Sequence, residues 1–126
     1  MYQSSYTGAE IDAGVRPYKV YTALLNQATD EAPIATVLEN TLSAAIVWTR
    51  AGVGSYEGTL ANEFVDAKTV AVVLNEQMLG LSSGAGSAQF YRSSVNAVGL
   101  LTYSDRFTTP ADALLENFPV EIRVYP

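Results

Sequence analysis

Three pairs of acids have the type and spacing that could do chemistry: Glu10 with Asp12, Asp30 with Glu31, and Asp112 with Glu116. Two carboxyls flanking a glycosidic bond can serve as acid and as base or nucleophile, so a glycosidase-type pair stays open to this composition. Other catalytic constellations are closed to it. The sequence contains no His and no Cys, which removes Ser-His-Asp triads, thiol nucleophiles, disulfide frameworks and zinc sites built on those ligands. No EF-hand spacing occurs. Gly84-Ala85-Gly86-Ser87 lacks the later Gly, the Lys and the strand-loop-helix setting of a phosphate-binding loop, and residues 81–87 read as a flexible loop and candidate contact. The acids themselves fall in expected loops, caps or wet faces. The expectation is therefore a non-enzyme with no catalytic, cofactor or metal site.

Aromatic residues offer a different kind of site. The sequence has eight Tyr, four Phe and one Trp, and ring side chains on strands either close a core or form a contact surface. Trp48 shares its phase with Ala44 and Ile46 and is expected in the core. Tyr21, Tyr91 and Tyr125 lie in more polar phases or beside Lys19, Gln89 and Arg123, which makes them candidate surface contacts. A formal charge of −6 repels phosphate backbones and anionic lipid. Nucleic acid and membrane are accordingly not expected as partners. Residues 2–6 carry no signal-peptide pattern, and no apolar run approaches the ~20 residues that span a bilayer.

The elements that would carry these residues are mostly strands. At the start, Thr7-Gly8-Ala9-Glu10 fits a capping box, followed by Ile11, Ala13 and Val15. Gly14 and the pre-proline position of Arg16 should end that helix after about two turns. So short a helix needs something to dock on. Tyr6, Ile11 and Val15 are its candidate partner-docking residues, and the alternative is that the arm folds back on its own domain.

From residue 18 onward, short runs of Val, Ile, Thr and Tyr are separated by Gly, Asn, Asp, Ser and Pro. Eight strands are expected, at 18–25, 35–40, 44–50, 55–60, 69–74, 88–93, 96–103 and 120–125. Residues 51–54 suit a hairpin turn. The run 69–74 is apolar in both phases, which points to cover on both sides or to an interface. Residues 109–117 could start a helical turn with Thr109 as cap and Pro110 at its first position. The expected fold is an all-β, eight-stranded antiparallel β-sandwich, jelly-roll-like, over residues 17–126, behind a helical arm over residues 1–16. One domain of this length should bury about two-thirds of its unfolded surface.

The opening Tyr6-Thr7-Gly8-Ala9-Glu10-Ile11-Asp12-Ala13 resembles a short motif near the start of many bacteriophage appendage proteins. Residues 18–25, 35–41 and 119–125 together resemble a small domain recurring in phages and prophages of Bacteroidetes-type bacteria, in proteins of the tail-fibre and head-fibre kind. That resemblance implies a virion structural protein made in the host cytoplasm, without catalytic residues. Its partners would be copies of itself, with a trimer expected, other virion proteins and a host surface glycan. Two other functions stay open: a carbohydrate- or host-receptor-binding module, and a small glycan-active enzyme.

Overall fold

Alternation along the last strand sets the plane of the whole molecule. Phe118, Val120, Ile122 and Val124 are buried on one side, while Pro119, Glu121 and Arg123 lie on the other. A computed structural model describes residues 16–75, 79–80 and 86–126. The helix expected at 7–15 and most of the loop expected at 81–87 lie outside the described residues.

Among the described residues, eight strands are formed: β1 (Lys19–Asn26), β2 (Ile34–Asn40), β3 (Val47–Gly52), β4 (Ser55–Thr59), β5 (Thr69–Val73), β6 (Ser87–Ser94), β7 (Ala97–Tyr103) and β8 (Phe118–Val124). One sheet has the order β2-β1-β8-β5 and the other β3-β4-β7-β6. All pairings are antiparallel. This is the β-sandwich read from the sequence. The first and last strands lie side by side, while the consecutive pairs β1–β2, β3–β4 and β6–β7 are neighbours within one sheet, so the winding is richer in hairpins than a jelly roll's double Greek key. Because β5 packs on β6, the free edges β2 and β3 share the opposite side.

The core forms where the inward phases meet. Tyr21, Ala23 and Leu25 of β1 register with Ile122, Val120 and Phe118 of β8, and all six are buried. Sheet two supplies Trp48, Tyr56, Val98 and Leu100. Each fully buried aliphatic or Phe side chain contributes about 1.5–3 kcal/mol. Trp48 lies over Gly58, where an added Cβ would come within 3.1 Å of its ring and 2.9 Å of Ile46. Its ring stacks near Phe90 at 6.3 Å, and its indole N–H donates to the Tyr21 hydroxyl at 3.1 Å.

Tyr21 is therefore not a surface contact. It is 1% exposed, because β1 turns Tyr21, Ala23 and Leu25 inward together. Lys19 shares that phase but lies at the strand end, where its ammonium leaves the core and donates to Glu63 at 2.8 Å.

Two boundaries also differ from the sequence pattern. The third strand starts at Val47 and not at residue 44, because Asn40 builds a turn: its amide donates to the Ala44 carbonyl at 3.0 Å, and its carbonyl accepts from Leu42 N–H at 2.9 Å. Residues 109–117 form no helical turn. Thr109 does not cap a helix but turns back to Asp105, through its amide at 2.8 Å and its hydroxyl at 2.7 Å. Pro110 and Leu115 form bridges with Tyr103 and Leu79, and Ala113 and Asn117 have φ of 60° and 47°, incompatible with a right-handed helix. The hairpin at 51–54 is present. Gly54 has φ +61°, and a Cβ there would meet Thr102 O at 2.4 Å and Ala111 N at 2.7 Å.

Tyr21→Phe keeps the ring and removes the acceptor for the Trp48 indole. We expect it to lower the unfolding free energy by about 1–3 kcal/mol in urea denaturation, while exposed Tyr91→Phe stays within about 0.5 kcal/mol of the parent.

Candidate functional site

The end of the first sheet opens into a groove of about 360 Å³. Three chain segments meet there: residues 16–18 entering β1, the end of β2 with Thr41, and the end of β8 running into Tyr125 and Pro126. The rings of Tyr18 and Tyr125 stand 5.0 Å apart at 47°. The Arg123 guanidinium sits 5.2 Å from the Tyr18 ring centroid and donates to Glu121 at 2.6 Å. Arg16 pairs with Glu39 at the rim.

Backbone bonds hold these walls. Thr41 N–H donates to Val20 O at 2.8 Å, Val20 N–H donates to the Thr41 hydroxyl at 2.8 Å, and Tyr125 N–H donates to Lys68 O at 2.8 Å. Glu63, which holds Lys19 near this end, titrates below the ordinary carboxylate range. Burial alone would raise it, but the Lys19 ammonium and the Ser43 amide outweigh that effect. Ring faces beside a guanidinium-carboxylate pair suit a ligand with one apolar face and several hydroxyls.

A second cluster of polar groups lies at the other end of β1. Asp112 accepts from Arg50 Nη2 at 2.7 Å and Nε at 3.2 Å, from Gly54 N–H at 3.0 Å and from Gln27 Nε2 at 3.2 Å. The Tyr56 hydroxyl donates toward it at 2.9 Å, and Gln27 Oε1 accepts from Ala113 N–H at 2.9 Å. Arg50 holds the Asp112 carboxyl well below the usual carboxylate range, against the opposing effect of burial. Burial pushes the Tyr56 phenol up to about 12. Both Asp112 oxygens are engaged by donors of the fold, and the Tyr56 hydroxyl lies within hydrogen-bond distance of Asp112 and of Gln27 Oε1. The cluster fastens residues 111–113 to the β3–β4 turn and to the segment after β1.

Of the three acid pairs, Glu10 and Asp12 lie outside the described residues. Asp30 and Glu31 are exposed on the loop after β1, and Asp112 is engaged by Arg50 while Glu116 is exposed with its carboxylate over Gly80. Among the described residues, no group of three or more acids could hold a metal ion.

The candidate contacts are not brought together. Tyr125 is exposed at the groove. Tyr91 is 43% exposed on the outer face of the second sheet, where its ring covers Gly99 of the neighbouring strand. Tyr6, Ile11 and Val15 lie outside the described residues. Sequence reasoning did not single out Tyr18, Glu39 or Thr41, which belong to three different segments and carry no common motif. Phe107 was missed as well: it is exposed, has φ of 62° and meets Tyr103 edge-on at 5.5 Å.

Fold and site together define an eight-stranded antiparallel β-sandwich with an aromatic groove at one end and a polar clamp at the other. Comparison with protein-family models, with curated proteins and with solved structures finds no match.

The clamp carries a pH signature. An Asp whose folded pKa is depressed stabilises the fold above its unfolded value near ~3.9, and that contribution fades as pH falls through the folded value. Asp112→Asn should therefore cost about 1.5–3 kcal/mol at pH 7. In paired urea titrations, the gap between parent and variant should close as pH drops below about 4.

Proposed function

We propose that this chain is a non-catalytic structural protein of a phage virion, a head- or tail-fibre or decoration component acting in assembly and attachment as a homo-oligomer. The observation that carries the reading is an uncovered apolar margin. Ile34 is 69% and Leu38 61% exposed on edge strand β2, and Val47 is 60% exposed on edge strand β3 of the facing sheet. Val37 adds to the same margin.

An edge strand offers unpaired N–H and C=O groups, and monomeric proteins commonly blunt such edges with Lys, Pro or inward charges. Within β2 no Lys, Arg or Pro occurs. Two edge strands on one side of the sandwich with large exposed apolar side chains suit burial against further copies, and the resemblance of residues 18–25, 35–41 and 119–125 to phage appendage domains points the same way.

Native mass measurement should find an oligomer, with three protomers expected. Leu38→Lys combined with Val47→Lys should shift the population to single protomers, whereas Val53→Lys, at an equally exposed turn position, should leave the mass unchanged. A parent protein that stays monomeric at high concentration would refute assembly through this margin.

The groove favours a second reading, a carbohydrate- or host-receptor-binding module, because Tyr18 and Tyr125 present rings beside Arg16 and Glu39. Calorimetric titration with host surface glycans should then give heats that disappear in Tyr125→Ala and persist in Tyr91→Ala. Equal heats in both variants would remove the groove from recognition.

A further inference from the structure

A loop at the clamp end of the sandwich holds an aromatic ring out to solvent on strained backbone. Phe107 is 51% exposed and has φ of 62°. Left-handed backbone is rare for a bulky side chain and persists only where the surrounding bonds dictate it. Of the described non-glycine residues with positive φ, Phe107 alone is aromatic. Its loop leaves β7 beside the β3–β4 turn, where Thr102 N–H donates to Gly54 O and Tyr103 bridges Pro110.

The bonds that fix this loop are dense. The Asp105 carboxylate accepts from the Thr108 amide at 3.0 Å and from the Thr109 amide and hydroxyl at 2.8 and 2.7 Å. The Phe107 amide donates to the Asp105 carbonyl and to the Ser87 hydroxyl, both at 3.1 Å, and Ser104 N–H donates to Thr109 O at 2.9 Å. A ring held this firmly loses little freedom on binding. Beside it, Arg106 is exposed and makes no ion pair among the described residues.

The complementary surface lies at the other end. The groove offers Pro17, Tyr18, Val124 and Tyr125 as apolar and aromatic walls, with Glu39 at its rim. Arg16 engages Oε2 of Glu39, and Oε1 has no partner among the described residues. The Lys19 ammonium is already held by Glu63. An exposed ring next to an unpaired cation thus matches ring walls next to an open carboxylate oxygen. A protomer cannot join its own two ends, because β1 alone runs eight residues from the groove toward the clamp, about 26 Å.

We propose that Phe107 and Arg106 of one copy dock in the groove of a second copy, the ring against Tyr18 and Tyr125 and the guanidinium on Glu39 Oε1, so that copies join end to end. Such a contact uses two different surfaces, and it continues from copy to copy unless the rotation between them closes a ring. One loop in one groove is a smaller interface than the roughly 1,200–2,000 Å² that a stable pair buries. A single contact is therefore weak, and it gains strength where several loops engage together across assembled copies. It leaves β2 and β3 free, so it is independent of assembly through that margin, and it competes with a glycan for the groove.

The absence of Cys allows a direct test. In the Leu38→Lys, Val47→Lys background, full chains carrying Thr108→Cys are mixed at high concentration with full chains carrying Pro126→Cys and a mass tag, and a short bismaleimide is added. The mixed two-chain product should form at least about tenfold faster than when Ser93→Cys, an exposed position on β6, replaces Thr108→Cys. Phe107→Gly keeps the positive φ and removes the ring, and Arg106→Glu reverses the cation. Either change on the Thr108→Cys chain should bring the rate down to the Ser93→Cys level, and Glu39→Lys on the Pro126→Cys chain should restore the rate lost to Arg106→Glu. Equal rates from Thr108→Cys and Ser93→Cys, or a rate indifferent to both loop variants, would overturn docking in the groove. A rate that Glu39→Lys does not restore would overturn the pairing of Arg106 with Glu39.

Discussion

The pairing of β1 with β8 is the interaction on which the rest of this structure depends. It joins residues about a hundred positions apart and places three buried inward rows side by side: Tyr21 with Ile122, Ala23 with Val120 and Leu25 with Phe118. The central strands of the first sheet are thus the two ends of the domain, and each carries an edge strand on its far side. Across the core, the Trp48 indole donates to the Tyr21 hydroxyl. That bond ties the first sheet to the second through a polar group that would otherwise be stranded.

Polar groups secure the two ends of this core in different ways. At one end, Asp112 gathers donors from Arg50, Gly54, Gln27 and Tyr56, and so fixes the long connection from β7 to β8 against the β3–β4 hairpin. At the other, Glu63 is 4% exposed and is satisfied by Lys19 and the Ser43 amide. Burying a carboxylate is expensive unless each oxygen finds donors. Here both are met, and no buried polar side-chain atom among the described residues lacks a partner.

What the sandwich leaves uncovered is organised rather than scattered. One side bears the apolar margin of β2 and β3, and the outer face of the first sheet bears an apolar row through Leu24, Pro119 and Leu74. The aromatic groove opens at the end of the first sheet, where Arg16 enters. The far end of β1 is closed by the Asp112 clamp.

Period-two alternation was legible directly: it located β8, put Trp48 in the core and assigned eight strands, because a strand with one wet face must alternate. Gly54 was legible too, since the turn needs a positive φ. Residue patterns could not decide the fate of Tyr21, because its neighbour in phase, Lys19, leaves the core only through a partner forty-four positions away, Glu63. The stretch from Thr109 looked like a helix start by local chemistry, yet Asp105 and Gln27 drew its donors into other bonds. The groove arose from three segments that meet only after β2, β1 and β8 pair. Local sequence determined which face of each strand is apolar, whereas tertiary structure decided which of those faces find cover, because cover depends on the strand order and on contacts distant in sequence.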